Sequence, residues 1–195
     1  MSAKRVTAPT VEPVTIADLV DHLRLPSGSQ EHAQLQRWAV SARELVELYA
    51  GRALITQTWE LALDVWPASG VVTLPMPPLI SVSSITTYSD AQVGTVLSPS
   101  AYYVDTWAEP ARLTLATGSG LPAGLRSLAG IVIRYQCGYG TNAADVPAGL
   151  RDAILAAVAY RWRYRGDDDP RLGGTETLPP QVEQALAPYR VMWVA

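Results

Sequence analysis

The chain has 195 residues, 48% hydrophobic and 17% charged, with a formal net charge of −3. That length and apolar content suit one globular domain, or one domain with a sizeable insertion, that needs no disulfide or metal to fold. The acidic balance argues against a general nucleic-acid binder, and the single cysteine, Cys137, excludes an internal disulfide.

No run approaches the roughly 20 apolar residues that span a bilayer. The opening "MSAKRVTAPTVEP" has a basic pair with no apolar stretch behind it, so it reads as neither a secretory signal nor an anchor. A soluble protein made in the cytoplasm, with no membrane partner, is the expectation.

Residues 1–14 are polar and punctuated by Pro9 and Pro13, and read as an extended N-terminal arm. Thr15 and Asp18 stand three apart, a variant of the capping box, and open a short helix striped by Ile16, Leu19, Val20 and Leu23. Pro26 and Gly28 stop it. A second helix shows the clearest period: Leu35, Trp38, Ala39, Ala42, Leu45, Val46 and Tyr49 share one face over four turns, with Arg37, Arg43, Glu44 and Glu47 on the others. Gly51 stands where a helix-closing glycine belongs.

Beyond Gly51 the period changes. Ile55, Trp59, Leu61, Leu63 and Val65 fall on one parity, which buries a single face only as a strand. "VVTLPMPPL" predicts a short strand that Pro75, Pro77 and Pro78 confine to an edge or a bend. "SVSSITTYSD", "AYYVDT", "ARLTLA" and "GIVIRYQCGYG" supply further strands, joined by Gly-, Ser- and Pro-rich links that favour an antiparallel sheet or small barrel. After residue 140 helical character returns. Pro147 suits a first turn, Leu150, Ile154, Ala157, Val158 and Trp162 continue one face, and "LPPQVEQALAPYR" closes with a short helix.

The fold class expected is therefore α+β. About four helices from the two ends of the chain (15–50 and 147–190) form a bundle, with an antiparallel β-sheet region inserted at 54–137 and a tail at 191–195. Leu35, Trp38, Leu45, Ile154, Val158 and Trp162 should share the bundle core. The whole reads as a single domain.

The search for chemistry comes back nearly empty. His22 and His32 stand alone, with no HExxH, no paired cysteines and no G-x-S-x-G elbow. "GYG" at Gly138–Gly140 is better explained as a strand running into a turn than as a phosphate loop. "DDDP" at Asp167–Pro170 is a charge run in a Gly- and Pro-flanked loop, which is usually just solvated. No catalytic, cofactor or metal residues are assigned, and no enzyme is expected.

Two features invite a partner. "YRWRYRG" (Tyr160–Gly166) interleaves Arg161 and Arg165 with aromatic residues. It is either an Arg edge beside a core Trp, or an interface, where Trp, Tyr and Arg are the enriched anchors. Base stacking ranks last. "YRVMWVA" (Tyr189–Ala195) is an apolar terminus that either packs on its own helices or docks elsewhere. The candidate partner interface is thus Arg161, Arg165, Tyr189, Met192 and Trp193.

The layout resembles the head–tail connector (adaptor) family of long-tailed bacteriophages, prophages and gene transfer agents. "EPVTIADLVDHLRL" is similar to that family's opening helix, and "ARELVELYAGRALITQTWELALDVWP" to its most recognisable block. "LPMPPLISVSSITTY", "VIRYQCGYG", "VPAGLRDAILAAVAYRW" and "ETLPPQVEQALAPYR" follow in order. The resemblance implies a virion protein at the head–tail junction. It would form a ring, typically twelvefold, beneath a portal protein, extend the DNA channel without binding DNA specifically, and offer a platform to a tail or head-completion (stopper) protein. It implies no catalytic residues and no cofactor. The rival is a monomeric β-domain binding module of a phage tail or fibre, displaying Tyr102, Tyr103 and Trp107.

Overall fold

In the computed structural model, which describes residues 1–26, 31–121, 123–164 and 178–191, the chain combines helices with antiparallel sheet. It divides into two compact units, Met1–Pro9 with Thr56–Tyr139, and Thr10–Ile55 with Gly140–Ala195.

The first unit holds the strands. β1 (Ser2–Thr7), β2 (Gln57–Leu63), β4 (Leu79–Tyr88), β5 (Gly94–Val96) and β8 (Ile131–Cys137) form a five-stranded sheet in the order β1-β2-β8-β4-β5. β3 (Val71–Thr73), β6 (Tyr102–Asp105) and β7 (Arg112–Leu115) form a second sheet in the order β3-β7-β6. β3 sits at an edge and ends before Pro75, Pro77 and Pro78, which lie outside it.

Register explains the core of the larger sheet. Leu61 pairs with Ile133, Leu63 with Ile131 and Ile85 with Ile133, and all of these side chains are buried. The other parity faces water and carries charge. Lys4 pairs with Glu60 and Glu60 with Arg134, so one carboxylate sits between two cations at 3.1 and 2.6 Å. Burial opposes ionisation of Glu60, but the hydrogen bonds from Arg134 and Lys4 outweigh it and hold the carboxyl below its ordinary range.

Three sequence expectations change here. The N-terminal arm is extended but not free: residues 2–7 are strand β1, paired with β2. Every residue of β1 is exposed, so no alternation marks it in the sequence. Val65 lies past the end of β2 and is 74% exposed, whereas Gln57 takes a core position at 1% exposed. Gln57 is tolerated there because its Oε1 accepts the indole N–H of Trp59 at 3.0 Å.

The second unit holds helices α1 (Ile16–Leu23), α2 (His32–Ala50), α3 (Ala148–Arg163) and α4 (Pro180–Leu186). α3 contacts the other three, and α2 contacts α1 and α4. Leu19, Leu35, Val46, Leu150, Ile154, Val158, Val182 and Leu186 are buried. Trp38, Leu45 and Trp162, expected in this core, are only half-buried. Trp38 and Trp162 instead meet edge to face, with ring centroids 6.1 Å apart. Pro147 is the cap residue before α3 rather than part of its first turn.

The capping box at α1 is complete. The Thr15 hydroxyl oxygen accepts the Asp18 N–H at 3.1 Å, and Asp18 Oδ2 accepts the N–H and the hydroxyl of Thr15, each at 2.7 Å. Those two donors hold the Asp18 carboxyl below its ordinary range. A carboxylate whose folded pKa is lowered stabilises the fold above its unfolded pKa, and this is lost as pH falls through the folded value. Thr15→Ala should therefore cost about 1 kcal/mol by urea denaturation at pH 7. Asp18→Asn should melt below the parent at pH 7, and the gap should close in acid, below the ordinary aspartate value of about 3.9.

Candidate partner interface

The end of α2 is organised by a buried charge cluster within the second unit. Arg43 and Glu47, expected on exposed faces, are 3% and 4% exposed. Arg43 Nη1 donates to Glu47 Oε2 at 2.7 Å, and Arg43 Nε donates to Glu12 Oε2 at 2.8 Å. The second oxygen of Glu47 accepts the N–H of Leu54 at 3.0 Å. The N–H of Gly51 and that of Arg52 both turn back onto the Glu47 carbonyl. Gly51 closes the helix with φ +67°, as its position in the sequence predicted. Burial works against Arg43's charge, but Glu47 and Glu12 overcome it and raise its pKa. For Glu12 the balance is reversed: burial outweighs Arg43 and raises its pKa.

Against this junction lies the stretch where a free terminus was one of the expectations. The N–H of Val191 donates to the Ala50 carbonyl at 2.9 Å, and Val191 is buried. Its Cβ lies 3.4 Å from where a side chain at Gly51 would begin. Arg52 Nε donates to the Tyr189 carbonyl, and the Arg190 guanidinium lies 5.4 Å from the centre of the Tyr49 ring. The Tyr189 hydroxyl approaches Gly149 so closely that a Cβ there would stand 2.6 Å from it. Tyr189–Val191 therefore pack on their own unit. Met192 and Trp193 lie outside the described residues.

The basic-aromatic run gives a similar result. Arg161 lies over the Trp38 ring at 5.4 Å and donates from Nη1 to Ser41 Oγ at 3.3 Å. Tyr160 and Tyr164 stack obliquely with centroids 4.6 Å apart. Arg161 is half-buried and bound at home, a packing role the sequence left open beside the interface role. Arg165 and Asp167–Pro170 lie outside the described residues. Of the five candidate residues, Arg161 and Tyr189 are described: Arg161 sits on the α2–α3 edge and Tyr189 beside Arg52 and Gly149.

The second sheet shows what sequence reasoning mentioned only for the rival. Trp107, just beyond β6, is 98% exposed, and Tyr103 is exposed as well. Tyr102, its neighbour in sequence, is half-buried. Among the described residues no group of three or more His, Cys, Asp or Glu side chains is placed to hold a metal ion. Among them, too, no helix is long and apolar enough to cross a membrane.

Comparison with known proteins bears on the fold. No family model and no curated protein matches the chain. Solved structures do. A chain in the neck of an empty gene transfer agent (GTA) particle, computed with C6 symmetry, is similar over 100% of this chain and 98% of its own, with a TM-score of 0.81 and 25% identity. A chain in the virion of a native GTA particle gives 0.80 and 24%, with the same coverage. A chain in the neck of a native GTA particle, computed with C12 symmetry, gives 0.76 and 23%.

Removing Arg43 leaves the buried Glu47 carboxylate and the half-buried Glu12 carboxylate without their shared cation. Arg43→Met should therefore cost about 3–5 kcal/mol by urea denaturation. A loss under about 1 kcal/mol would mean that the cluster is not what holds the α2 junction.

Proposed function

We propose that this chain is a structural subunit of the neck of a phage-like particle, a head–tail connector. It forms a ring, twelvefold in the virion, beneath the portal. The ring extends the DNA channel and carries the platform to which the tail or a stopper protein attaches. The observation that carries the reading is the likeness to a GTA neck chain over its whole length, at a TM-score of 0.81 and 25% identity. The motifs quoted from the sequence run in the order of the same family. Neck structures computed with C6 and C12 symmetry support self-assembly into a ring. The reading assigns no reaction and no cofactor to the chain. A tail- or fibre-type binding module remains the second reading because Trp107 and Tyr103 are displayed on the β unit.

Native mass spectrometry of the chain alone and with its portal tests the proposal. The subunit alone should be monomeric or weakly associated, and the mixture should contain a portal–subunit ring. Absence of any complex with the portal sinks the connector reading.

We further propose that Met192 and Trp193 dock into the portal or a neighbouring subunit, with the portal tested first. Deleting residues 192–195 should leave the melting temperature within about 1 °C and abolish portal association. Deleting 191–195 should also lower the melting temperature, because Val191 is buried and bonded to Ala50. If the shorter deletion still joins the portal, the terminus does not dock there.

A further inference from the structure

Trp107 is a large aromatic side chain held out in water by a fixed backbone. Asp105 Oδ1 accepts the Trp107 N–H at 3.0 Å, while Asp105 Oδ2 accepts from Arg112 Nε at 3.1 Å and Nη2 at 2.6 Å. Asp105 and Arg112 are also register partners across β6 and β7, so the ion pair closes the hairpin at its tip. These donors hold the Asp105 carboxyl below its ordinary range. The turn is thus tied down while the indole it carries is 98% exposed. Exposed Tyr103 lies on the same strand face as Asp105, two residues back, and its register row continues through Thr114 to exposed Val71. A rigid Trp beside Tyr and an Arg–carboxylate rim is the composition of an interface anchor.

The second unit holds a groove of the matching kind. Between α3 and α4 lies an open cavity of about 510 Å³, lined by Ala153, Ala156, Val182 and Ala185, with Asp152 and Tyr189 also on its wall. It exists because these positions are small: Ala153 and Ala156 on α3 and Ala185 on α4 leave room that larger side chains would fill. Its volume is that of a general concave binding site and has room for an indole. The carboxylate of Asp152 supplies the acceptor that a buried indole N–H requires.

We infer that Trp107 of one copy is the anchor that enters the α3–α4 groove of the next copy. The two surfaces differ, so the contact is heterologous and repeats from copy to copy. Such a contact gives a closed ring when the rotation between neighbours is right. The inference rests on the neck-subunit reading, in which each copy has a neighbour on both sides.

The experiment uses the full chain assembled with its portal. Trp107→Ala and Ala156→Trp should each melt within about 1 °C of the parent as monomers, since both positions are exposed. Each should lower the yield of ring on the portal at least tenfold. In rings of the double variant Thr106→Cys with Gln181→Cys, which keeps Trp107 and the groove alanines and uses two exposed positions beside them, a short bis-maleimide should produce a ladder of covalent multimers. Neither single variant should do so, because native Cys137 is buried. Normal ring yield from Trp107→Ala, or cross-linked product confined to the monomer, overturns the inference and leaves the neck reading standing. Rings of Trp107→Ala that assemble fully but fail to retain the tail protein also overturn it, giving the anchor to a different partner. If the parent chain does not join the portal at all, both readings fall together.

Discussion

The two oxygens of the Glu47 carboxylate do different jobs, and the second unit depends on both. One faces Arg43 at 2.7 Å, and the other takes the Leu54 N–H at 3.0 Å. The first fixes Glu47 against its own helix. The second fixes the chain four residues after the helix has ended. A polypeptide leaving an α-helix exposes carbonyls that have lost their partners, and a segment entering the core must satisfy its amides. Here the backbone of Glu47 answers the first need and its side chain the second. Ala53, Leu54 and Ile55 can then be fully buried directly after a helix terminus. Buried charge is costly, so the cluster is poorly explained as a source of stability. It is better explained as a device for geometry: no apolar side chain could accept the Leu54 amide and anchor Arg43 at once.

The same junction receives Glu12 from one side and the end of the chain from the other. Glu12 lies between the sheet-forming residues 1–9 and the first helix, and its bond to Arg43 fixes that connection inside the second unit. Val191 closes on Ala50 and Gly51. Gly51 is thus constrained twice. It needs φ +67° to end α2, and it must leave space for Val191. A side chain there would meet a conformational penalty and a crowded neighbour together.

How much of this was legible follows from how each element is held. Helices and inner strands bury one face, and their periods show it: α1 opens directly after Thr15, α2 ends directly before Gly51, and β8 lies inside the run "GIVIRYQCGYG". The α1 capping box and the closing role of Gly51 were readable because each depends on side chains at fixed local spacing. β1 was not, because it is held by backbone pairing and a Lys4–Glu60 pair and buries nothing. Arg43 and Glu47 were misplaced for the opposite reason. Their partners lie 31 residues upstream and 7 downstream, and a helical period assigns charged residues to water unless a tertiary partner is known. Of the partner-interface candidates, Arg161 and Tyr189 are described, and composition does not reveal the contacts they make at home: Arg161 lies across Trp38, and the Tyr189 carbonyl accepts from Arg52.

Exposure, by contrast, cannot be read from composition at all. The aromatic-rich "AYYVDTWAEP" holds three large rings, and sequence gives no reason to rank them. The structure ranks them through Asp105. Its carboxylate ties the turn to Arg112 and to the Trp107 backbone, and the Trp107 indole stands 98% exposed at the tip. A loose loop could fold its Trp back onto the sheet at little cost. The bonds from Asp105 to the Trp107 N–H and to Arg112 oppose that movement. An anchor fixed in this way loses less conformational freedom when it is buried by a partner, which is where preorganised contacts gain their affinity. On the proposed neck reading, in which each copy has identical neighbours on two sides, a projection on one unit and an alanine-lined recess on the other provide two unlike surfaces on one chain. Unlike surfaces are what a head-to-tail ring requires, and a self-complementary patch would stop at a dimer.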